Sequence, residues 1–198
     1  MARIDDDSGR ISATILVVGA RDSGKSALLR SVRERVPPHR RRGDLDSGLP
    51  DPLLDWLALD LGRIGGWEIG ADLFAVPTGD LGDATRALLY DECDGLLVVA
   101  DSQAVRLDDN IAALSRLYDH LADRPGDRVE PPRVYCYGRQ DLPEELLLTR
   151  DELDATLNRR SAPSFGADLV RGTGVLEALH ALISAVVRGL APRRSVSG

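Results

Sequence analysis

Short apolar runs rich in β-branched residues alternate along this chain with stretches in which apolar residues recur every three or four positions. The runs predict buried strands, and the three-to-four spacing predicts amphipathic helices. We predict six strands, at residues 14–18, 53–61, 67–76, 94–101, 134–137 and 165–170. We predict five helices, at residues 25–36, 83–92, 107–121, 149–158 and 175–190.

The order of these elements is β-α-β-β-α-β-α-β-α-β-α. Strands that alternate with helices predict a mostly parallel sheet covered on both faces, and the strands 53–61 and 67–76 around a glycine-rich turn predict one antiparallel hairpin. The fold class is therefore α/β, with three layers (α/β/α) around a mostly parallel six-stranded sheet. We expect one domain at residues 13–190, a flexible N-terminus at 1–12 and a flexible C-terminal tail at 191–198.

The composition is that of an acidic globular protein. Its 198 residues suffice for one domain with a full core, and the formal net charge of −7 argues against nonspecific binding to nucleic acid. Cys93 and Cys136 lie in or beside apolar runs and are predicted to be buried free thiols. The sequence shows no signal-peptide pattern and no apolar run of the roughly 18 residues that span a membrane. We therefore expect a monomeric, cytoplasmic protein without an integral membrane segment.

Residues 19–26 read G-A-R-D-S-G-K-S and match the pattern G-x-x-x-x-G-K-[S/T] between a predicted strand and a predicted helix. The two glycines let the backbone turn so that its N–H groups converge, and the helix adds the positive end of its dipole. Lys25 can reach the outer phosphates of a nucleotide, and the Ser26 hydroxyl can ligate Mg²⁺. The predicted nucleotide contacts here are Gly19, Asp22, Ser23, Gly24, Lys25, Ser26 and Ala27. The competing interpretation is a glycine-rich turn that carries a lysine by chance.

Further stretches carry a resemblance to a known family. They are L-D-L-G-R-I at 59–64, V-P at 76–77, D-A-T-R at 83–86, D-G at 94–95 with V-A-D-S-Q at 99–103, and D-L-P at 141–143. With the phosphate loop, these residues resemble the MglA family, the bacterial Ras-like GTPases of gliding motility and cell polarity. The resemblance implies a Ras-like P-loop NTPase fold that binds GTP, GDP and Mg²⁺ and has two switch loops, at 36–53 and 77–82. It also implies a Roadblock-type (MglB-like) activating protein or effector as partner.

The catalytic positions depart from the family pattern. Where the family has the third glycine of the phosphate loop, this chain has Arg21, which either supplies positive charge in cis like an arginine finger or points to solvent. Gly79 occupies the position of the glutamine that orients the attacking water. Asp80 either substitutes for that glutamine or is a turn residue. We favour the second alternative for both, so Arg21 and Asp80 are candidate catalytic residues only, and slow intrinsic hydrolysis is predicted.

The base-specificity pattern N-K-x-D of the family corresponds to G-R-Q-D at 138–141. By the resemblance, Asp141 accepts hydrogen bonds from guanine and Arg139 lies over the base. The asparagine that ties this loop to the phosphate loop is replaced by a glycine. The base-facing loop contains Leu169 and Val170, whose backbone N–H groups are candidate contacts of the guanine carbonyl. A weakened preference for guanine is predicted.

The first switch and the metal site also depart from the pattern. A threonine of this switch usually reaches Mg²⁺, and the corresponding neighbourhood is L-P-D-P at 49–52. Either Asp51 ligates the ion together with Ser26, or no residue of this switch does. The strand that often ends in a Mg²⁺-orienting aspartate ends here in A-V at 75–76. The basic run at 40–42 is either placed over the phosphates by a partner or a solvated loop, and we favour the loop.

Three functions remain open on the sequence. The first is a GTP-binding switch with weak intrinsic hydrolysis, which regulates polarity or motility through partner proteins. The second is a non-hydrolysing pseudo-GTPase that serves as a scaffold. The third is an ATP-using P-loop enzyme such as a kinase, for which the sequence offers no second catalytic acid and no lid motif.

Overall fold

The computed structural model describes residues 3–5, 9–44, 55–64, 66–78, 83–122 and 130–190. Its strands are β1 (Arg3–Asp5), β2 (Arg10–Val18), β3 (Arg41–Asp44), β4 (Asp55–Ile64), β5 (Trp67–Ala75), β6 (Gly95–Asp101), β7 (Arg133–Gly138) and β8 (Ser164–Gly166). Its helices are α1 (Lys25–Arg35), α2 (Asp83–Glu92), α3 (Leu107–Ala122), α4 (Arg150–Leu157) and α5 (Val175–Leu190). The predicted order of strands and helices is found, with two short strands added.

The strands form one sheet in the order β3-β4-β5-β2-β6-β7-β8, and β1 pairs with the start of β2. The pairs β2–β5, β2–β6, β6–β7 and β7–β8 are parallel, whereas β3–β4, β4–β5 and β1–β2 are antiparallel. The predicted mostly parallel sheet with an antiparallel hairpin is confirmed. The described residues form eight strands where we predict six, because β1 and β3 are too short and too polar to stand out as apolar runs.

Successive residues of the central strands bury their side chains on opposite faces of the sheet. In β2, Ile15 and Val17 belong to the core cluster that also contains apolar residues of α1 and α5. Leu16 and Val18 belong to the second cluster, with residues of α2, α3 and α4. Each such side chain stabilises the fold by about 1.5–3 kcal/mol when it leaves water. The predicted three layers are therefore confirmed.

Several elements begin or end at other residues than the sequence predicts. β2 begins at Arg10, inside the segment 1–12 that we expected to be flexible, because its first residues pair with both β1 and β5. The first switch loop is predicted at 36–53, but Arg41–Asp44 within it form the edge strand β3. The last predicted strand, 165–170, is only Ser164–Gly166, and Leu169 and Val170 lie in the loop that follows. The domain boundaries at 13 and 190 stay a prediction.

Helix α4 begins as the sequence predicts. The Thr149 hydroxyl accepts a hydrogen bond from the Glu152 backbone N–H at 3.3 Å, and the Glu152 carboxylate accepts one from the Thr149 N–H at 2.8 Å. This capping box satisfies two N–H groups that have no partner within the helix. Cys93 and Cys136 are both buried, as predicted, and neither forms a disulfide with another described residue. None of the helices in the described ranges is long and apolar enough to span a membrane.

The parallel strands place five loops at one edge of the sheet. β2, β5, β6, β7 and β8 run in the same direction, so the loops after Val18, Ala75, Asp101, Gly138 and Gly166 all leave from their carboxyl ends. In open α/β sheets, ligands bind in the crevice at this edge. The phosphate loop and the predicted base-binding loops are therefore neighbours.

Candidate nucleotide-binding site

The phosphate loop connects β2 to α1 through two glycines that no other residue can replace without strain. Gly19 has φ +155°, and a Cβ built on it would overlap the carbonyl oxygen of Val99 in the neighbouring strand. Gly24, the N-cap residue of α1, has φ +102°, which is in the left-handed region. These conformations favour glycine strongly. They turn the backbone so that α1 starts directly at Lys25, with its unpaired N–H groups and positive dipole end facing the loop.

Lys25 is buried in this loop, and within the described part of the chain no carboxylate forms an ion pair with it. Its ammonium donates hydrogen bonds to the carbonyl oxygens of Ala20 at 2.7 Å and Gly19 at 3.2 Å. Burial lowers its pKa from 10.5 to about 8, and the negative charge of Asp22 opposes this shift in part. A buried ammonium is stable only when it is paired, so the loop has a cation that an anionic ligand can neutralise. Phosphate oxygens fit this requirement.

The other predicted residues of the phosphate loop differ in exposure. Ser23 is 2% exposed, and its hydroxyl has no hydrogen-bond partner among the residues that the structure describes. The side chains of Arg21 and Asp22 lie in solvent, 84% and 83% exposed, with Arg21 Nε 3.9 Å from Asp22 Oδ2. Ser26 is exposed at the second position of α1, and Ala27 is partly buried beside it. Ser26 is thus accessible to a metal ion bound at the phosphates.

The predicted base-binding residues lie at the ends of β7 and β8. Asp141 is exposed on the loop after β7. Arg139 has φ +66°, unusual for a residue with a side chain, and its Nε lies 3.6 Å from Asp101 Oδ2. A Cβ on Gly138 would lie 3.6 Å from Leu169 Cδ1 and 3.7 Å from the Ser23 carbonyl oxygen. The position of the missing asparagine therefore adjoins the phosphate loop, as the resemblance implies.

The loop after β8 holds its shape through Asp168. The Asp168 carboxylate accepts hydrogen bonds from the backbone N–H groups of Val170 at 3.0 Å and Arg171 at 2.8 Å. The Val170 N–H is therefore engaged, whereas the Leu169 N–H donates to no other residue within the described ranges. Leu169 Cδ1 lies 2.5 Å from the place a Cβ on Gly24 would take. Of the two predicted contacts, Leu169 is thus the one that packs on the phosphate loop and whose N–H can still donate a hydrogen bond.

The sequence analysis missed two residues of the site. Arg106 donates a hydrogen bond to the carbonyl oxygen of Arg21 at 2.7 Å, across 85 positions of the sequence. Nothing local in the sequence marks Arg106, whereas Asp168, an Asp that opens a loop before a glycine, has the composition of an Asx turn. The Arg106 contact fixes the backbone of the phosphate loop at its third position.

Part of the predicted site lies outside the described residues. Asp51 in the first switch, and Gly79 and Asp80 in the second, belong to that part of the chain. Of the basic run at 40–42, Arg40 lies 3.9 Å from Asp60, and Arg42 donates to the Leu59 carbonyl oxygen at 2.9 Å. These arginines lie against the β4–β5 hairpin, which corrects the expectation of a solvated loop. The described residues contain no cluster of three or more His, Cys, Asp or Glu that could hold a metal.

Comparison with known proteins places this site in a family context. No protein-family model matches the chain. The chain is 31% identical over 194 residues to the "Mutual gliding-motility protein MglA" of Myxococcus xanthus (strain DK1622). The match covers 96% of this chain and 98% of that protein, so it includes the phosphate loop, both switch regions and the base-binding loops.

Proposed function

The chain belongs to the MglA family of Ras-like small GTPases, and on this basis we propose that it is a GTP-binding switch with weak intrinsic hydrolysis. The observation that carries the proposal is the buried ammonium of Lys25, which donates to two carbonyl oxygens and forms no ion pair with a carboxylate of the described residues. A loop that served only to connect β2 and α1 would gain stability from a neutral residue there. A nucleotide phosphate removes the cost of the buried charge.

The proposed phosphate contacts follow from the loop. The backbone N–H groups from Asp22 to Ala27 and the Lys25 ammonium bind the phosphate oxygens, and Gly19 and Gly24 provide the turn. Ser26 is the proposed protein ligand of Mg²⁺, with Asp51 as a second candidate. When bound, Mg²⁺ neutralises part of the phosphate charge.

The proposed base preference is guanine. Asp141 is exposed and free to accept hydrogen bonds from the base, and the open N–H of Leu169 is a donor for its carbonyl. Arg139 provides a planar cation that can stack on the ring. Adenine presents a donor where guanine presents a carbonyl, so the Leu169 N–H disfavours it.

Hydrolysis is proposed to be slow because the groups that orient water are missing. Gly79 has no side chain at the position of the family's glutamine, and β5 ends at Ala75 with the apolar Val76 after it. Loss of such a group costs about 3–4 kcal/mol of barrier, or roughly 10³-fold in rate. The Arg21 side chain lies in solvent beside Asp22, and Asp80 would bring a negative charge toward the phosphates.

The proposed cellular role follows the relative's name. The Myxococcus protein is called a mutual gliding-motility protein, and we propose that this chain acts in regulation of polarity or motility through partner proteins in the cytoplasm. A Roadblock-type, MglB-like activator is the proposed partner, and the chain itself is proposed to be a monomer. Such an activator would supply the groups that the switches lack. The acidic net charge of −7 disfavours a nucleic-acid partner.

A second candidate function, a non-hydrolysing pseudo-GTPase scaffold, is favoured by one specific observation. The family uses three positions to orient the attacking water, to orient Mg²⁺ and to tie the base-binding loop to the phosphate loop. These positions are occupied here by Gly79, Val76 and Gly138, none of which has a polar side chain. The two functions share the phosphate loop and differ only in turnover.

Calorimetry with GDP, GTP and ATP in the presence of Mg²⁺ tests the proposal. We expect guanine nucleotides to bind wild type and to bind Lys25→Ala at least about 100-fold more weakly, since a charge-assisted contact to phosphate is lost. Arg30→Ala, an exposed cation on the outer side of α1, is the matched control. Equal affinity of wild type and Lys25→Ala would refute the proposal, and preference for ATP would favour the kinase-like alternative.

Single-turnover measurements with labelled GTP separate the switch from the scaffold. A slow rate of GTP hydrolysis that rises when a Roadblock partner is added, or in Gly79→Gln, supports the switch. A hydrolysis rate that equals that of GTP in buffer alone under all these conditions supports the scaffold.

A further inference from the structure

Asp101, at the carboxyl end of β6, is a buried carboxylate in a rigid setting. It is 3% exposed. Its Oδ1 accepts hydrogen bonds from the Gln103 backbone N–H at 3.0 Å and side-chain amide at 3.1 Å. Its own backbone N–H and carbonyl are bound by the Asn110 side chain, at 3.3 Å and 2.8 Å. The carboxylate therefore has one orientation and stays at this edge of the sheet.

The cation that pairs with this carboxylate is Arg139. Arg139 Nε lies 3.6 Å from Asp101 Oδ2, and no other cation of the described residues pairs with Asp101. The two partners differ in burial, because the Asp101 side chain is 4% exposed and that of Arg139 is 48% exposed. A buried carboxylate is costly unless it is paired, so Asp101 holds the near side of the guanidinium and leaves the outer half accessible.

The backbone of Arg139 is also held in an uncommon conformation. Its φ of +66° is in the left-handed region, where a residue with a side chain is strained by about 1 kcal/mol. The Arg139 carbonyl accepts a hydrogen bond from the Leu142 N–H at 3.0 Å. The next residue, Gln140, donates from its side chain to the Ser102 hydroxyl at 3.0 Å, beside Asp101. Strain that neighbouring contacts maintain is typical of binding sites.

We propose that Asp101 is a positioning residue for the base of the nucleotide and acts through Arg139. This inference rests on the proposed nucleotide binding and deepens it. A free arginine side chain loses up to about 2 kcal/mol of rotamer entropy when it stacks on a ring. Because the ion pair with Asp101 restricts the guanidinium before the nucleotide arrives, this cost is already met in the free protein. Asp101 then raises the affinity for ligands that contain a purine and leaves the affinity for inorganic phosphates unchanged.

Asp101→Asn tests the inference with two probes, GDP and inorganic triphosphate. The amide keeps the shape of the side chain and an acceptor for the Gln103 N–H but removes the charge that holds Arg139. We expect GDP to bind about 10-fold more weakly, the size of one lost charge-assisted contact, while the affinity for inorganic triphosphate stays within about twofold. Asp119→Asn, an exposed carboxylate on α3, is the matched control and should change neither affinity.

A double-mutant cycle with Arg139→Met shows whether Asp101 acts through Arg139. In the Arg139→Met background, Asp101→Asn is expected to cause no further loss of GDP affinity. An additional loss there, an unchanged GDP affinity in Asp101→Asn alone, or equal losses for GDP and triphosphate would each overturn the inference while the proposed function stands. Wild-type protein that binds neither probe would overturn both.

Two further measurements keep the test decisive if the asparagine variant does not fold. Asp101→Ser removes the charge with a smaller side chain and is compared with the same probes. In wild type without nucleotide, the Arg139 Nε–H signal, assigned by its loss in Arg139→Met, should show restricted motion in ¹⁵N relaxation. A freely averaging Arg139 guanidinium would overturn the inference.

Discussion

The titration of Lys25 tests the phosphate site most directly. Burial lowers the pKa of this ammonium from 10.5 to about 8 in the free protein, against the opposing effect of Asp22. The shift corresponds to a cost of about 3 kcal/mol for keeping the cation buried in the free protein. Nucleotide phosphates bring negative charge to the ammonium, so binding should return its pKa to about 10.5 or above.

This change of pKa couples nucleotide binding to pH. Between about pH 8 and pH 10.5 the bound protein keeps a proton that the free protein has lost, so binding takes up a proton and weakens as the pH rises. From pH 7 to pH 9 the protonated fraction of free Lys25 falls from about nine-tenths to about one-tenth, which predicts about 10-fold weaker binding. Below pH 7 this group leaves the affinity unchanged.

The assay uses the fact that Lys25 is the only lysine of the sequence. Lysine labelled with ¹³C at Cε therefore gives one side-chain NMR signal, whose midpoint should be near pH 8 without nucleotide and at or above about pH 10.5 with saturating GDP. Calorimetry at pH 7 and pH 9 gives the affinities. Lys25→Arg keeps its charge throughout and corrects for ionisation of the base. A midpoint near 10.5 in free protein, or the same pH dependence in wild type and Lys25→Arg, would refute this reasoning.

Three further predictions concern stability without nucleotide and are checked by urea unfolding. Lys25→Met should raise the free energy of unfolding at pH 7 by about 1–3 kcal/mol, because the buried charge is removed, and a decrease would contradict this. Gly19→Ala should lower it by more than about 3 kcal/mol through overlap with a carbonyl oxygen of β6, whereas Gly66→Ala, also at positive φ but with no described atom within 4 Å, should lose only about 1 kcal/mol. Thr149→Ala should lose about 1 kcal/mol with the capping box of α4. Thr156→Ala, inside the same helix, should change stability by less than about 0.5 kcal/mol, and equal losses would argue against the cap.

The elements of the core could be predicted because their signals are local. β6 is buried at every position and α5 repeats apolar residues on one face, so each shows its period within its own residues. The missed strands β1 and β3 have three and four residues, which is too few to show a period of their own, although β1 pairs with the strand that directly follows it. The strand predicted at 165–170 ends early because the Asp168 side chain binds backbone N–H groups that a longer strand would need for pairing.

The residues of the site also divide into those that a local signal predicts and those that it does not. The phosphate loop is contiguous, so the positions of Gly19, Gly24 and Lys25 could be predicted from spacing alone. The base-binding side is assembled from loops after β6, β7 and β8, and its decisive contacts join residues far apart in sequence. The pair of Asp101 with Arg139 is an example, since neither residue indicates the other until the parallel strands bring their ends together.

The energetics of the phosphate loop in the free protein support the proposal that the site binds a nucleotide. Among the described residues, no carboxylate forms an ion pair with the buried Lys25 ammonium, no group bonds the Ser23 hydroxyl, and Arg139 is held in the left-handed region; each of these features lowers stability. A phosphate chain at the loop would provide partners for the ammonium and the hydroxyl. Gly79 and Val76 stand at positions that serve hydrolysis in the family. They bring no such cost, because neither residue has a polar side chain that needs a partner. The costs among the described residues thus fall on groups that would hold a nucleotide, which is what the proposed GTP-binding switch requires.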